Sequence, residues 1–119
     1  MSSSSMDLSF LTNHGLPIER FDAGKTIFLE DDVGQCLYVV RSGMVNILTY
    51  GKPLEDVGPG GIFGEIALVI DGCRSASAMA AVDTEVLKVD RAAFLKLVRE
   101  EPDFALEVIK SLAIRAARG

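Results

Sequence analysis

The sequence predicts a mainly β domain, a double-stranded β-helix or jelly-roll barrel with one short internal helix and two C-terminal helices. Three observations carry that expectation. From Ile18 onward, short apolar clusters are separated by Gly, Asp and Pro. Met44–Tyr50 and Thr84–Asp90 alternate apolar and polar residues with the period of a half-buried strand. After Asp90 the apolar spacing changes to that of a helix. At 119 residues the chain suits a single domain with a modest core.

Residues 1–17 read as an N-terminal tail and short lead-in: a serine run over Met1–Ser5, a short helix or extended piece over Met6–Leu11, and a break from Gly15 to Pro17. Strands are expected at Ile18–Asp22, Thr26–Leu29, Cys36–Ser42, Met44–Tyr50, Pro53–Val57, Ser77–Ala81 and Thr84–Asp90. Turn residues divide them at Ala23-Gly24, Asp31 to Gly34, Ser42-Gly43, Gly51-Lys52 and Gly58 to Gly61. Ala92 to Val98 then form a helix that stops before Pro102. Asp103 is expected to cap the next helix, whose apolar stripe is Leu106, Ile109, Leu112, Ala113 and Ala116, with Arg115 and Arg118 near its negative end. The folded domain thus covers residues 18–119, with C-terminal helices over 91–118.

A hydrophobic share of 49%, no tryptophan and a net charge of −5 describe an ordinary soluble domain, expected in the cytoplasm. The acidic balance opposes nonspecific nucleic-acid binding, which depends on Lys and Arg neutralising phosphates. No basic-then-apolar leader and no run of membrane-spanning length occurs, so no membrane insertion is expected. Cys36 and Cys73 lack metal-ligand spacing, and His14 is the sole histidine, which speaks against a metal centre or a Cys/His nucleophile pair. Gly24-Lys25-Thr26 is not a P-loop, because Glu19 stands where the first glycine belongs and a strand follows. The glycines from Gly58 to Gly64 do not spell a dinucleotide fingerprint, and Glu30-Asp31-Asp32 lacks the length of a calcium loop.

Chemistry concentrates in Phe63-Gly64-Glu65-Ile66-Ala67-Leu68 and Cys73-Arg74-Ser75-Ala76. Gly64 opens a helix start whose N–H groups suit an anion, and Arg74 is the natural partner of a phosphate. Glu65 in that first turn would repel a bare phosphate. It fits a ligand that offers a hydroxyl as well. A surface ion pair between Glu65 and Arg74 is the plain alternative.

These two segments resemble the phosphate-binding cassette of the cyclic nucleotide-binding domain family, as found in catabolite-activator-like regulators, gated channels and kinase regulatory domains. Phe21 to Phe28, Leu37 to Val45 and Ala80 to Phe94 resemble the family's other strands in order, so the likeness runs from Ile18 to the C-terminus. It implies that Glu65 accepts from the ribose 2′-hydroxyl, that Arg74 pairs with the cyclic phosphate, and that Gly64 and the N–H groups around Ile66, Ala67 and Ser75 complete the shell. Val45, Ile47 and Ile62 are implied as base contacts, with the final helix as cover. Glu30-Asp31-Asp32 departs from the family's Glu-Gly-Asp.

The implied function is a bacterial-type, non-catalytic sensor of cAMP or cGMP that signals by moving its C-terminal helix, with no other cofactor. As a stand-alone module it would not bind DNA directly, and its partners would be a second copy or an effector met through the C-terminal helices. The alternative is a nucleotide-free interaction or scaffold domain of the same fold. A barrel enzyme ranks third for want of a histidine cluster.

Overall fold

The computed structural model describes residues 14–70 and 72–118, without the side chains of residues 69, 70 and 118. The expectations placed on Met1–Leu11 and on the Arg118 side chain lie outside the described residues. Eight strands run in the order β1 Ile18–Phe21, β2 Thr26–Phe28, β3 Cys36–Ser42, β4 Val45–Thr49, β5 Lys52–Val57, β6 Ile62–Phe63, β7 Ser77–Ala80 and β8 Thr84–Asp90. Helix α1, Glu65–Ile70, lies between β6 and β7, and α2, Arg91–Glu100, and α3, Pro102–Arg118, follow β8.

The strands make two antiparallel four-stranded sheets, ordered β1-β8-β3-β6 and β2-β7-β4-β5. The architecture is a mainly β jelly-roll type with C-terminal helices, and among the described residues the sheets do not close into a barrel. Strand β3 explains the layering. Cys36 to Val40 are all buried, and successive side chains point to opposite faces. Leu37 and Val39, with Leu87 and Val89 of β8, pack against Leu97 of α2 and Phe104 and Val108 of α3. Cys36, Tyr38, Val40 and Val86 pack the other way, against Val45, Ile47, Val57 and Ala78 of the second sheet. The first sheet is therefore the middle layer, with helices on one side and the second sheet on the other.

The expected strands all form, with ends shifted by a residue or so, and β6 is an addition too short to leave a periodic signal. Two helix expectations are corrected. Pro102 occupies the first position of α3, which suits its fixed φ and missing N–H, so Asp103 lies in the first turn instead of capping it. Asp90 is a cap: its carboxylate accepts from the Ala93 N–H at 2.9 Å, opening α2. The buried side of α3 is Phe104 and Val108, continued by half-buried Leu112, whereas Leu106 and Ile109 of the expected stripe are 61% and 59% exposed. The i, i+4 series beginning at the large Phe104 ring meets the core first and fixes the helix rotation.

Candidate functional site

The cassette hangs between β6 and β7. Gly64 has φ +79°, a left-handed conformation that lets β6 turn directly into α1, and a Cβ there would lie 2.8 Å from Arg74 Nη1. A Cβ on buried Gly34 would likewise collide with the Arg74 side chain. Both glycines are spaces for one guanidinium. The backbone of Arg74 is clamped by the turn before β3, donating to Asp32 O at 2.7 Å and accepting from Asp31 N at 2.9 Å. Asp31 itself takes φ +74° where the family pattern has glycine. The Glu30-Asp31-Asp32 turn thus supports the cassette through its backbone.

The Arg74 side chain is 4% exposed. Its Nη1 donates to Gly64 O at 2.8 Å and its Nη2 reaches Cys36 Sγ at 3.7 Å. The guanidinium lies 4.1 Å from the Phe28 ring centre and 5.7 Å from that of Tyr38, positions where a ring face attracts a cation. Arg74 Nε is buried without a hydrogen-bond partner among the described residues, which leaves donor capacity in an enclosed position. Beside it, burial and then the Cys36 thiol push the Tyr38 phenol above its ordinary pKa, so the ring faces the guanidinium uncharged.

Glu65 is 1% exposed, yet it is not paired with Arg74. Its Oε2 accepts from Ser111 Oγ and from Arg115 Nη1, both on α3. Arg115 also donates through Nε and Nη2 to the two oxygens of Glu55 on β5, each at 3.0 Å, and through Nη2 to Ile62 O at 3.0 Å. Burial pulls the Arg115 guanidinium down, but the Glu55 hydrogen bonds and the Glu65 charge outweigh it and leave its pKa raised. The surface-pair alternative therefore fails: both charges are buried and each has its own environment.

One cavity of about 210 Å³ brings together Gly64, Glu65, Ile66, Ala67, Arg74 and Ser75. Phe28, Ile47, Leu54, Phe63, Ala76 and Arg115 complete its wall. Of the base contacts read from the sequence, Ile47 lines this cavity and Val45 lies in the core between the sheets. Ile62 packs toward the helices and lines a neighbouring space of about 370 Å³ between the β5–β6 turn and α3. His14 pairs with Glu101 and Glu100 at the α2–α3 joint, and Cys36 and Cys73 are free thiols. No group of three potential metal ligands occurs among the described residues. Ser111 and Glu55 escaped the sequence reading, and Arg115 was read only as a charge suited to the helix end; the local signal for their shared role is the four-residue spacing of Ser111 and Arg115.

A profile of the cyclic nucleotide-binding domain family matches residues 18–101, spanning both sheets, the cassette and α2. The chain belongs to the cyclic nucleotide-binding domain family. A cyclic AMP receptor protein of Thermus thermophilus is 41% identical over 86% of this chain, and the match covers 55% of that relative, so the chain spans about half its length. The crystal structure of a Thermus thermophilus catabolite activator protein superposes with a TM-score of 0.80 at 38% identity, covering 92% of this chain and 54% of that one. A structure described under a cyclic-GMP-dependent signalling pathway in bacterial phytopathogenesis gives 0.79 at 27% identity and covers 97% of both chains. The family's domains are regulatory. No helix among the described residues is long and apolar enough to cross a membrane.

Proposed function

We propose that this cyclic nucleotide-binding domain is a non-catalytic sensor of cAMP or cGMP that reports occupancy by repositioning α3. The observation that carries the reading is that one apolar cavity is lined by both a buried guanidinium, Arg74, and a buried carboxylate, Glu65. A ligand with both an anion and a hydroxyl uses both charges, which a phosphate alone would not. Arg74 and the N–H groups near Ile66, Ala67 and Ser75 would hold the cyclic phosphate, and Glu65 the ribose 2′-hydroxyl. The base would lie against Ile47, Phe28 and Leu54.

Size supports movement of α3. A cavity of about 210 Å³ falls below the roughly 300–1,000 Å³ usual for small-molecule sites, and Arg115 is the wall residue supplied by α3. Admitting a nucleotide would shift that wall, and a ligand favouring the shifted arrangement moves the population toward it. The exposed residues Leu106, Ile109 and Ile114 would then carry the change to a second copy or an effector. The names of its relatives include both cyclic AMP and cyclic GMP.

A scaffold role without nucleotide is the second reading. The engagement of Glu65 by Arg115 and Ser111 favours it, because the carboxylate already has partners. Calorimetric titration of the chain with cAMP and with cGMP separates the two. Sensing requires saturable binding of at least one nucleotide below about 1 mM, equivalent to roughly 4 kcal/mol. Absence of binding by either supports the scaffold.

A further inference from the structure

We propose that Glu55 is a positioning residue for the ribose contact, acting on Glu65 through Arg115. The assignment rests on nucleotide binding in the cavity as proposed above. Arg115 presents a planar fork, and Glu55 grips one edge of it with two 3.0 Å hydrogen bonds, to Nε and Nη2. Nη2 is further tied to the Ile62 carbonyl at 3.0 Å. What remains is Nη1, which meets Glu65 Oε2 and, at 2.8 Å, Ser111 Oγ.

This division of one guanidinium between two carboxylates has a consequence for the ribose. A guanidinium facing Glu65 alone would favour the bidentate geometry and cover both carboxylate oxygens. Held by Glu55, Arg115 can offer Glu65 only a single N–H group. That contact and the one from Ser111 both fall on Oε2, which fixes the carboxylate plane and assigns Oε1 to the ribose hydroxyl. The same contact keeps a cation beside a carboxylate that is 1% exposed, where an unpaired charge would be costly. Glu55, 21% exposed at its side chain and on β5, therefore sets how Glu65 receives a hydroxyl without reaching the ligand itself.

The test reads the 2′-hydroxyl directly. The native chain, Glu55→Gln, Glu55→Asp and Arg115→Lys are titrated with cAMP and 2′-deoxy-cAMP, and with the corresponding guanine pair, while circular dichroism checks that each variant is folded. The native chain should prefer the ribose form by about tenfold or more, the range for a hydrogen bond to a charged group. Glu55→Gln frees Arg115 to cover Glu65, so affinity for the ribose form should fall by about fivefold while the deoxy form stays within about twofold. Arg115→Lys removes the fork that fixes the Glu65 carboxylate and should itself lower affinity for the ribose form selectively, while Glu55→Asp, which keeps the charge but shortens its reach to Arg115, decides the matter should Glu55→Gln not fold. Equal losses for both forms, or an unchanged preference, overturn the role of Glu55. A native chain that binds none of the four nucleotides overturns the sensing function itself, and with it this assignment.

Discussion

Arg74 and Glu65 border the same cavity and are both almost fully buried, yet different parts of the chain hold them. Arg74 rests on the Gly64 carbonyl, the rings of Phe28 and Tyr38 and the Cys36 sulfur, all belonging to the sheets or the cassette. Glu65 rests on Ser111 and Arg115 of α3. The Arg74 end, proposed for the phosphate, is thus built into the β framework, whereas the Glu65 end, proposed for the ribose, depends on where α3 lies. A ligand that spans both ends couples the sheets to the helix.

Removing the anchor of α3 should separate the ends most strongly. Phe104→Ala empties a fully buried position between α3 and the first sheet, so chemical denaturation should report a loss of about 3–5 kcal/mol. In variants that remain folded, the preference for ribose over deoxyribose nucleotides should shrink, because Ser111 and Arg115 are no longer held against Glu65. Gly64→Ala strikes where the two ends meet. Left-handed φ and the approach to Arg74 Nη1 together should weaken nucleotide binding and stability by about 1–3 kcal/mol each, measured by calorimetry and thermal unfolding.

The smallest effect concerns the ring beneath Arg74. Tyr38 has its pKa raised in the folded state, so it stays neutral while the unfolded chain deprotonates near pH 10. Its stability contribution is present below that pH and is lost as pH rises through and beyond it, by at most about 1.4 kcal/mol per pH unit. Tyr38→Phe keeps the ring near Arg74 and should flatten the alkaline fall in a denaturation series between pH 9 and 11. An equal fall in Tyr38→Phe would place the sensitive group elsewhere.

The two ends also differed in how far they could be read from sequence. The Arg74 end was legible because its parts are contiguous: Gly64, Glu65, Arg74 and Ser75 lie within one short segment with a turn glycine, a helix start and a following strand. The strands were legible for the same local reason, each bounded by a turn. The Glu65 end was not, since its partners lie 46 and 50 residues away and Arg115 meets Glu55 across 60. Helix α3 also carries apolar residues on more than one side, so the series Phe104, Val108 and Leu112 competed with the expected stripe of Leu106, Ile109, Leu112, Ala113 and Ala116, which shares only Leu112 with it. Only the position of the sheet decides which faces inward. Strand β6 was missed because two residues, paired with Tyr38 and Val39, show no alternation.

The most direct test compares the native chain with Arg74→Ala by calorimetric titration against cAMP and cGMP. The native chain should bind at least one nucleotide, and Arg74→Ala should weaken that binding by about 2–5 kcal/mol, the usual cost of removing a buried charged contact. Native-like affinity in a folded Arg74→Ala variant would contradict the phosphate assignment on which the account rests.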